Sequence, residues 1–119
     1  MVNKCKTFDV VLVNFGTVEF SGEQSGTRPA VVIQNALGNI HSDTTIVLPF
    51  STKLKNLNQS THSFFAKNEE YGLREDSILL GECVRQVSKE RIIKKLGSFE
   101  RKEDRMKIKQ AYDANFGEI

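Results

Sequence analysis

The chain has 119 residues and a formal net charge of +2 at pH 7. A chain of this length can bury one hydrophobic core without disulfides or metals, so we expect residues 1–119 to form a single domain. No apolar run reaches the length of about 18 residues that a membrane-spanning helix needs, which excludes an integral helical membrane protein. The nearly neutral charge points to no particular class of partner.

The cysteine and histidine content bears on cofactors and on the cellular compartment. Cys5 and Cys83 are too few for a disulfide framework, and the sequence has neither a CxxC motif nor a Cys/His spacing typical of zinc sites. The first residues, from Met1 to Lys6, lack the apolar segment of a signal peptide. We therefore expect a cytoplasmic protein with no metal or other cofactor.

The first half of the chain is predicted to be β structure. Residues 8–14, 28–34 and 44–50 are short runs rich in valine and other apolar residues, a composition that is typical of strands. The connection over residues 35–43 contains a Leu-Gly-Asn sequence, which favours a hairpin or another turn. Pro49 lacks an amide hydrogen and is expected at an edge or a bulge.

The second half is predicted to hold further strands and then helices. Residues 51–58 are polar and allow a short helical turn, whereas residues 62–67 and 77–87 favour strands, and several short strands of this kind suggest a small barrel or sandwich. A short helix is predicted over 89–95, and Ser98 is predicted to cap a helix over about 99–116. One face of that helix is expected to pack on the barrel through Ile108, Ala111, Tyr112, Phe116 and Ile119.

The charge distribution near the C-terminus leaves two interpretations open. Between Lys89 and Lys109 lie nine Lys or Arg residues against four Asp or Glu residues. Such an excess can attract a polyanion or an acidic protein segment. It is more typical of a solvated helix with surface ion pairs, the interpretation that we favour.

One segment, residues 21–35, carries the strongest chemical signal. Gly22 and Gly26 lower the steric cost of a sharply bent loop, and Pro29 biases Arg28 toward an extended backbone at the start of an apolar strand. A guanidinium held at the root of a strand can bind two oxygens of a phosphate or a carboxylate. Without further information, this arginine serves either an anion site or a salt bridge, for example with Glu23.

The same segment resembles the N-terminal signature of the MazF/PemK family of bacterial toxins. The resemblance begins with Gly22-Glu23-Gln24 and Gly26-Thr27-Arg28-Pro29 and continues in order through most of the chain. The other matching segments are residues 8–13, 30–35, 38–39, 47–53, 71–73 and 76–80, followed by Glu82 and Arg85.

The resemblance implies a fold, an activity and partners. It implies a mainly β protein with C-terminal helices, built as the small SH3-like barrel that MazF and PemK share with CcdB and Kid. It implies the toxin of a toxin–antitoxin pair, a homodimer that cleaves single-stranded RNA such as mRNA and is blocked by an acidic antitoxin. Cleavage by the 2′-OH leaves a 2′,3′-cyclic phosphate and a 5′-OH, and it makes DNA no substrate.

The resemblance also implies the catalytic residues. Arg28 matches an arginine that stabilises the phosphorane, and Glu23 matches an acidic loop residue that assists proton transfer. Ser51 takes the place of a strand-end hydroxyl that positions the phosphate. Because Thr52 follows directly, the assignment can slip by one residue, and since neighbouring strand residues face opposite sides, only one of the two serves.

Further residues are predicted to contact the RNA rather than to carry the reaction. One branch of the family transfers protons with an arginine and an aspartate two residues apart; Leu80 stands at that arginine's place here, so this version is not supported. Glu82 is either a site residue or a structural partner of Arg85. Phe15 and Phe20 are the aromatic candidates for stacking on bases. The predicted substrate-binding residues are Thr52, Gln24, Thr27, Phe20, His62 and Glu82.

Two other functions fit the same fold. CcdB toxins poison a topoisomerase through a C-terminal Trp-Gly-Ile, whereas this chain has no tryptophan and ends in Phe116-Gly117-Glu118-Ile119. A barrel that binds RNA or protein without cleaving it is the remaining alternative, against which Arg28 and the hydroxyl pair argue.

Overall fold

The computed structural model describes residues 4–17 and 25–119. Short apolar segments rich in β-branched residues form the strands, as their composition favours. The elements in chain order are β1 (Asp9–Asn14), β2 (Thr27–Val32), α1 (Ala36–His41), β3 (Thr44–Ser51), β4 (His62–Phe65), a 3-10 turn (Glu69–Tyr71), β5 (Ser77–Leu80), β6 (Arg85–Ser88), a second 3-10 turn (Lys89–Arg91), β7 (Ile92–Ser98) and α2 (Lys102–Asp113).

The strands form one antiparallel sheet. Their order is β4-β5-β3-β2-β1-β7, and β6 pairs with β3 beside this path. This arrangement confirms the prediction of a mainly β, SH3-like fold with a helical C-terminal part, although a single α-helix, α2, follows β7. Among the described residues, no helix is long and apolar enough to cross a membrane.

Strand β3 changes its neighbour halfway along its length. Its first part pairs with β6 as far as Val47, and its last residues, Phe50 and Ser51, pair with β5. Leu48 and Pro49 lie between the two ladders and pair only with β2. A proline has no amide hydrogen and cannot donate a hydrogen bond to a neighbouring strand. The change of partner therefore falls at Pro49, where the backbone can least pair with a strand on each side.

Two apolar clusters lie on opposite faces of the central strands. Because side chains alternate along a strand, Val31 and Leu48 point to one cluster, whereas Val32 and Val47 point to the other. The first cluster is completed by α2 and the first 3-10 turn, and the second by β6 and the start of β7. We call them the helix-side and the β6-side cluster.

The connection before β3 differs from the prediction. Residues 36–41 form the short helix α1 instead of a hairpin or simple turn. The side chain of Asn35 caps it by accepting a hydrogen bond from the amide of Gly38 at 2.9 Å. Buried Asn39 then accepts hydrogen bonds from Gln34 and Thr45. These local side-chain bonds stabilise a helical turn that the composition alone did not indicate.

The helices predicted near the C-terminus also begin at other residues. Only Lys89–Arg91 of the predicted 89–95 helix is helical, because the segment from Ile92 pairs with β1 as strand β7. Ser98 ends that strand and caps no helix; α2 begins at Lys102. The predicted helical turn over 51–58 is absent as well.

Phe99 explains the late start of α2. Its side chain is fully buried, with its ring centroid 4.2 Å from that of Tyr71 and 5.1 Å from that of Phe65. This position fixes residue 99 in the core rather than in a helix. Of the predicted apolar face, Ile108 and Ala111 are buried, whereas Tyr112, Phe116 and Ile119 are exposed.

A hydrogen bond anchors α2 to the first 3-10 turn. The buried Tyr71 hydroxyl donates to the carboxylate of Asp104 in the first turn of α2. Burial and this carboxylate raise the pKa of Tyr71 to about 12. The phenol is therefore neutral, and a donor, at every pH of biological interest.

Replacing Tyr71 by phenylalanine tests this anchor. We expect Tyr71→Phe to lower the free energy of unfolding by about 1 to 3 kcal/mol, because the partly buried Asp104 carboxylate loses a donor. Denaturant titration followed by circular dichroism measures the change. The matched control is Tyr112→Phe, at an exposed position of the same helix, for which we expect a change within about 0.5 kcal/mol. Equal effects of the two substitutions would contradict the assignment.

Candidate active site at one end of the sheet

Several strands end or begin together at one end of the sheet. β1 ends at Asn14, β2 begins at Thr27, β3 ends at Ser51 and β6 begins at Arg85. Since neighbouring strands run antiparallel, all four of these residues belong to the same end. We call it the Arg28 end, after the arginine that β2 carries there.

The loop between β1 and β2 is closed at its base by backbone hydrogen bonds. The amide of Phe15 donates to the carbonyl of Gly26, and the amide of Gly26 donates to the carbonyl of Gly16, both at 2.8 Å. Gly26 has a φ of 73°, a left-handed conformation that favours glycine. Residues 18–24 lie outside the described part of the chain, and with them the predicted site residues Phe20, Glu23 and Gln24.

Arg28 lies half-buried on β2, opposite Val13 of β1. Its Nε donates to the carbonyl of Ser25 at 2.9 Å, a bond that holds the guanidinium against the base of the loop. Among the described residues, no carboxylate forms an ion pair with it. The two terminal nitrogens of the Arg28 guanidinium group are therefore in a position to bind an anion.

Ser51 shares a face of the sheet with Arg28. The β2–β3 ladder pairs Ala30 with Pro49 and Val32 with Val47, and continuing this register by two residues sets Arg28 opposite Ser51. By the alternation of side chains, both point to the β6-side cluster, to which Ala30, Val32 and Val47 belong. The Ser51 hydroxyl accepts a hydrogen bond from the Lys53 amide at 3.1 Å.

Thr52 belongs to the other face. It is exposed and lines a cavity of ≈290 Å³ together with Leu12 and Pro29. Leu12 and Pro29 alternate with Val13 and Arg28, so this cavity lies on the helix side of the sheet. The register thus sets Arg28 on the same face of the sheet as Ser51 and on the opposite face from Thr52. Thr27 is exposed beside Asn14 at the sheet end.

The structure adds two arginines to the Arg28 end that the sequence did not single out as site residues. The guanidinium carbon of half-buried Arg85 lies 5.6 Å from the ring centroid of Phe15. Arg91 donates to the carbonyl of Asn14 at 3.2 Å. Neither forms an ion pair with a described residue. The excess of positive charge over residues 89–109 includes Arg91 and was therefore a weak signal for it. The sequence around Arg85 contains no signal that this side chain contacts Phe15.

Phe15 itself is not a stacking surface in this structure. Its side chain is 1% exposed and belongs to the β6-side cluster. The expectation that it stacks on RNA bases is therefore wrong for this conformation, because its ring packs under Arg85.

The neighbouring residues Phe64 and Phe65 of β4 face opposite sides of the strand. Phe64 is exposed and Phe65 is buried in the core, as the alternation of side chains along a strand requires.

His62 and Glu82 form a separate network, away from Arg28. Nε2 of His62 lies 2.9 Å from Oε2 of Glu82, and the hydroxyl of Thr61 donates to Oε1 at 3.1 Å. Nδ1 of His62 lies 2.9 Å from the carbonyl oxygen of Asn56. Glu82 therefore has partners other than Arg85, and the network ties residues 56–62 to the connection between β5 and β6.

The contacts of this network act on the acidity of Glu82. Desolvation raises the pKa of Glu82, but the hydrogen bonds from His62, from its own amide and from Thr61, with the charge interaction between His62 and the carboxylate, together hold that pKa below its usual range.

No group of three or more His, Cys, Asp or Glu side chains within the described ranges is arranged to hold a metal ion. The chemistry available at the Arg28 end is that of guanidinium groups, a hydroxyl and backbone amides. Such groups bind phosphate oxygens and stabilise negative charge that develops on them.

The sequence matches, over residues 6–113, the family described as PemK-like, MazF-like toxin of type II toxin-antitoxin system. Since this match spans most of the chain, the protein belongs to that family. The family assignment agrees with the fold.

Solved structures show the same fold. An endoribonuclease in complex with its cognate antitoxin, from a mycobacterial species, has a TM-score of 0.73 and 14% identity over 92% of each chain. MazF from Deinococcus radiodurans has a TM-score of 0.74 and 17% identity over 92% of this chain and 94% of that one. The MazE–MazF complex from the same organism has a TM-score of 0.68 and 18% identity over 93% of this chain and 94% of that one.

The pH dependence of stability tests the His62–Glu82 pair. Because the pKa of Glu82 in the folded protein lies below the ordinary value of 4.5, the unfolded chain binds more protons in that range, and stability is lost as pH falls through the folded pKa. We expect the stability difference between wild type and Glu82→Gln to be largest above about pH 5 and to shrink in acid. Denaturant midpoints measured across this range report it; a constant difference would show that Glu82 does not contribute through its charge.

Proposed function

We propose that this protein is the toxin of a type II toxin–antitoxin pair and acts as a metal-independent endoribonuclease on single-stranded RNA, including mRNA. The observation that carries the proposal is the β2–β3 register, which sets Arg28 and Ser51 on one face of the sheet. Arg28 also forms no ion pair with a described residue. Cleavage of mRNA at short sequences would inhibit translation and growth.

The reaction is an in-line displacement at phosphorus. The 2′-OH oxygen attacks, the bond to the 5′ oxygen breaks, and the products are a 2′,3′-cyclic phosphate and a 5′-OH. One group must take the proton of the 2′-OH and another must protonate the leaving oxygen. DNA lacks the attacking hydroxyl and is no substrate.

We assign the roles from the chemistry of each side chain. Arg28 binds the non-bridging oxygens and stabilises the charge that grows on them in the transition state. Ser51 positions the same phosphate from the neighbouring strand. Glu23, in the loop whose base holds Arg28, assists proton transfer. Arg85 adds positive potential at this end of the sheet.

The predicted substrate contacts fall into two groups. Phe20 and Gln24 lie in the sequence between β1 and β2, and Thr27 and Thr52 lie at strand ends. All four are proposed to contact the RNA. His62 and Glu82 are proposed to act through their network, which shapes the connection that follows Ser51 and Thr52.

The proposal includes partners. A homodimer with two-fold symmetry and an acidic antitoxin are expected in the cytoplasm. Positive charge at Arg28, Arg85 and Arg91 favours acidic segments of a partner as well as RNA. An antitoxin bound at this end would compete with the substrate.

A cleavage assay with Arg28 variants tests the activity. In EDTA, we expect discrete cuts with 2′,3′-cyclic phosphate ends in a long mixed-sequence RNA. Arg28→Ala should lower kcat by roughly 10²- to 10³-fold, the usual cost of one transition-state charge stabiliser. Arg28→Lys should retain part of the activity, since lysine keeps the positive charge but cannot bind two phosphate oxygens in the bidentate geometry of a guanidinium group. The matched control, Arg101→Ala, lies just before α2 and should cut like wild type.

RNA that stays intact with a folded, antitoxin-free protein over many sequences would refute the nuclease. RNA binding without cleavage would then favour the non-catalytic barrel. Loss of topoisomerase activity without RNA damage would instead favour a CcdB-like poison.

A pair of hydroxyl variants separates Ser51 from Thr52. We expect Ser51→Ala to lower kcat by about 10²-fold, because Ser51 contacts the phosphate as it reacts. Thr52→Ala should raise KM by a few-fold with kcat nearly kept, as loss of a uniform binding contact does. Steady-state kinetics on an RNA with one mapped cut site measures both, and the reverse pattern would show that Thr52 is the reacting hydroxyl.

A further inference from the structure

Two cavities on the helix side of the sheet lie next to each other. The first, of ≈290 Å³, reaches Pro29 and Thr52; the second, of ≈510 Å³, reaches Lys67. Both are lined by Gly72, Leu73, Arg74 and Leu96. We call the two cavities together the Arg74 groove.

One end of the groove adjoins the candidate active site. Pro29 and Thr52 directly follow Arg28 and Ser51 in the chain, and they face the opposite side of the same strands. A chain molecule bound between Arg28 and Ser51 would therefore reach the Arg74 groove by passing over the end of the sheet.

The walls of the groove suit a polyanion. Lys67, Arg74 and Lys94 line it, are exposed, and form no ion pair with any described residue. Two carboxylates, Glu69 and Glu75, also line it, so one positive charge remains in excess. Cations that are free of intramolecular partners can bind phosphates without first breaking an ion pair.

The floor of the groove is apolar. It is formed by Leu12, Pro29, Leu73 and Leu96, against which a ribose or a base can pack. None of the described lining residues is aromatic, so the groove offers no stacking platform for reading bases. These features are typical of a surface that binds the backbone of a nucleic acid with little preference for its sequence.

The groove is also pre-formed. Gly72 has a φ of 71°, and a Cβ at this position would collide with Leu96 of β7. The turn that carries Leu73 and Arg74 is thus pressed onto the sheet in a conformation that only glycine adopts without strain. Binding would not need to order this wall of the groove.

We propose that the Arg74 groove binds the sugar–phosphate backbone of the single-stranded RNA that continues beyond the cut site. This inference rests on the proposed function. It assigns affinity for longer substrates to Arg74 and Lys94, and it leaves the choice of sequence to the Arg28 end.

Two double variants test the groove. Arg74→Ala/Lys94→Ala removes two groove cations, and Arg101→Ala/Lys102→Ala removes the same charge at the start of α2, outside the groove. The probe is a fluorescein-labelled 2′-O-methyl RNA of about 20 nucleotides, longer than one typical binding site and lacking the attacking hydroxyl. Fluorescence anisotropy gives Kd at several salt concentrations.

We expect the groove variant to bind about tenfold more weakly and to lower the slope of log Kd against log salt by about 1.4, since each phosphate contact on a single strand contributes about 0.7. The α2 variant should bind like wild type. With cleavable RNA, the advantage in kcat/KM of a long over a short substrate should largely vanish in the groove variant only.

If both double variants weaken RNA binding equally, or if neither weakens it, the proposal that the groove binds RNA is wrong. The outcomes also separate the two proposals. Wild type that cuts RNA, with no special effect of the groove variant, refutes the groove alone. Wild type that cuts nothing, yet loses affinity on Arg74→Ala/Lys94→Ala, refutes the nuclease and leaves the groove as an RNA-binding surface.

Discussion

The register between β2 and β3 is the constraint on which the rest of this structure depends. It pairs Ala30 with Pro49 and thereby brings Arg28 and Ser51 onto one face, although they are far apart in the sequence. A shift by one residue would turn Ser51 away from Arg28 and move the apolar side chains of β3 from one cluster to the other. The packing that stabilises the fold therefore also positions the two proposed catalytic groups.

The same alternation gives the two faces of the sheet different roles. On the β6 side, Arg28 and Ser51 extend the row of Ala30, Val32 and Val47, and Arg85 reaches the end of β1. On the helix side, the next residues of each strand open into the Arg74 groove. A polymer substrate engages both faces only by crossing the strand ends, where charge and hydroxyl groups are concentrated. The proposed catalytic groups and the proposed groove are thus separated by the thickness of one sheet.

The sequence predicted what local patterns encode. Strands showed in their apolar, β-branched runs, and Arg28 was marked by the loop before it and the proline after it. Long-range contacts were not predictable: Ile92 continues as a strand because β1 offers an edge, and Phe99 stays out of α2 because the aromatic core holds it. Likewise His62 and Glu82 meet only through the pairing of β4 with β5, which no spacing in the sequence reveals.

A double-mutant cycle on Arg28 and Ser51 tests the central claim most directly. If both groups hold one phosphate, the losses in kcat/KM for Arg28→Lys and Ser51→Ala should be non-additive, with a coupling free energy of about 1 kcal/mol or more. The parallel cycle of Arg28→Lys with Thr52→Ala should be additive within about 0.5 kcal/mol. Additivity between Arg28 and Ser51, or coupling between Arg28 and Thr52 in its place, would contradict the account.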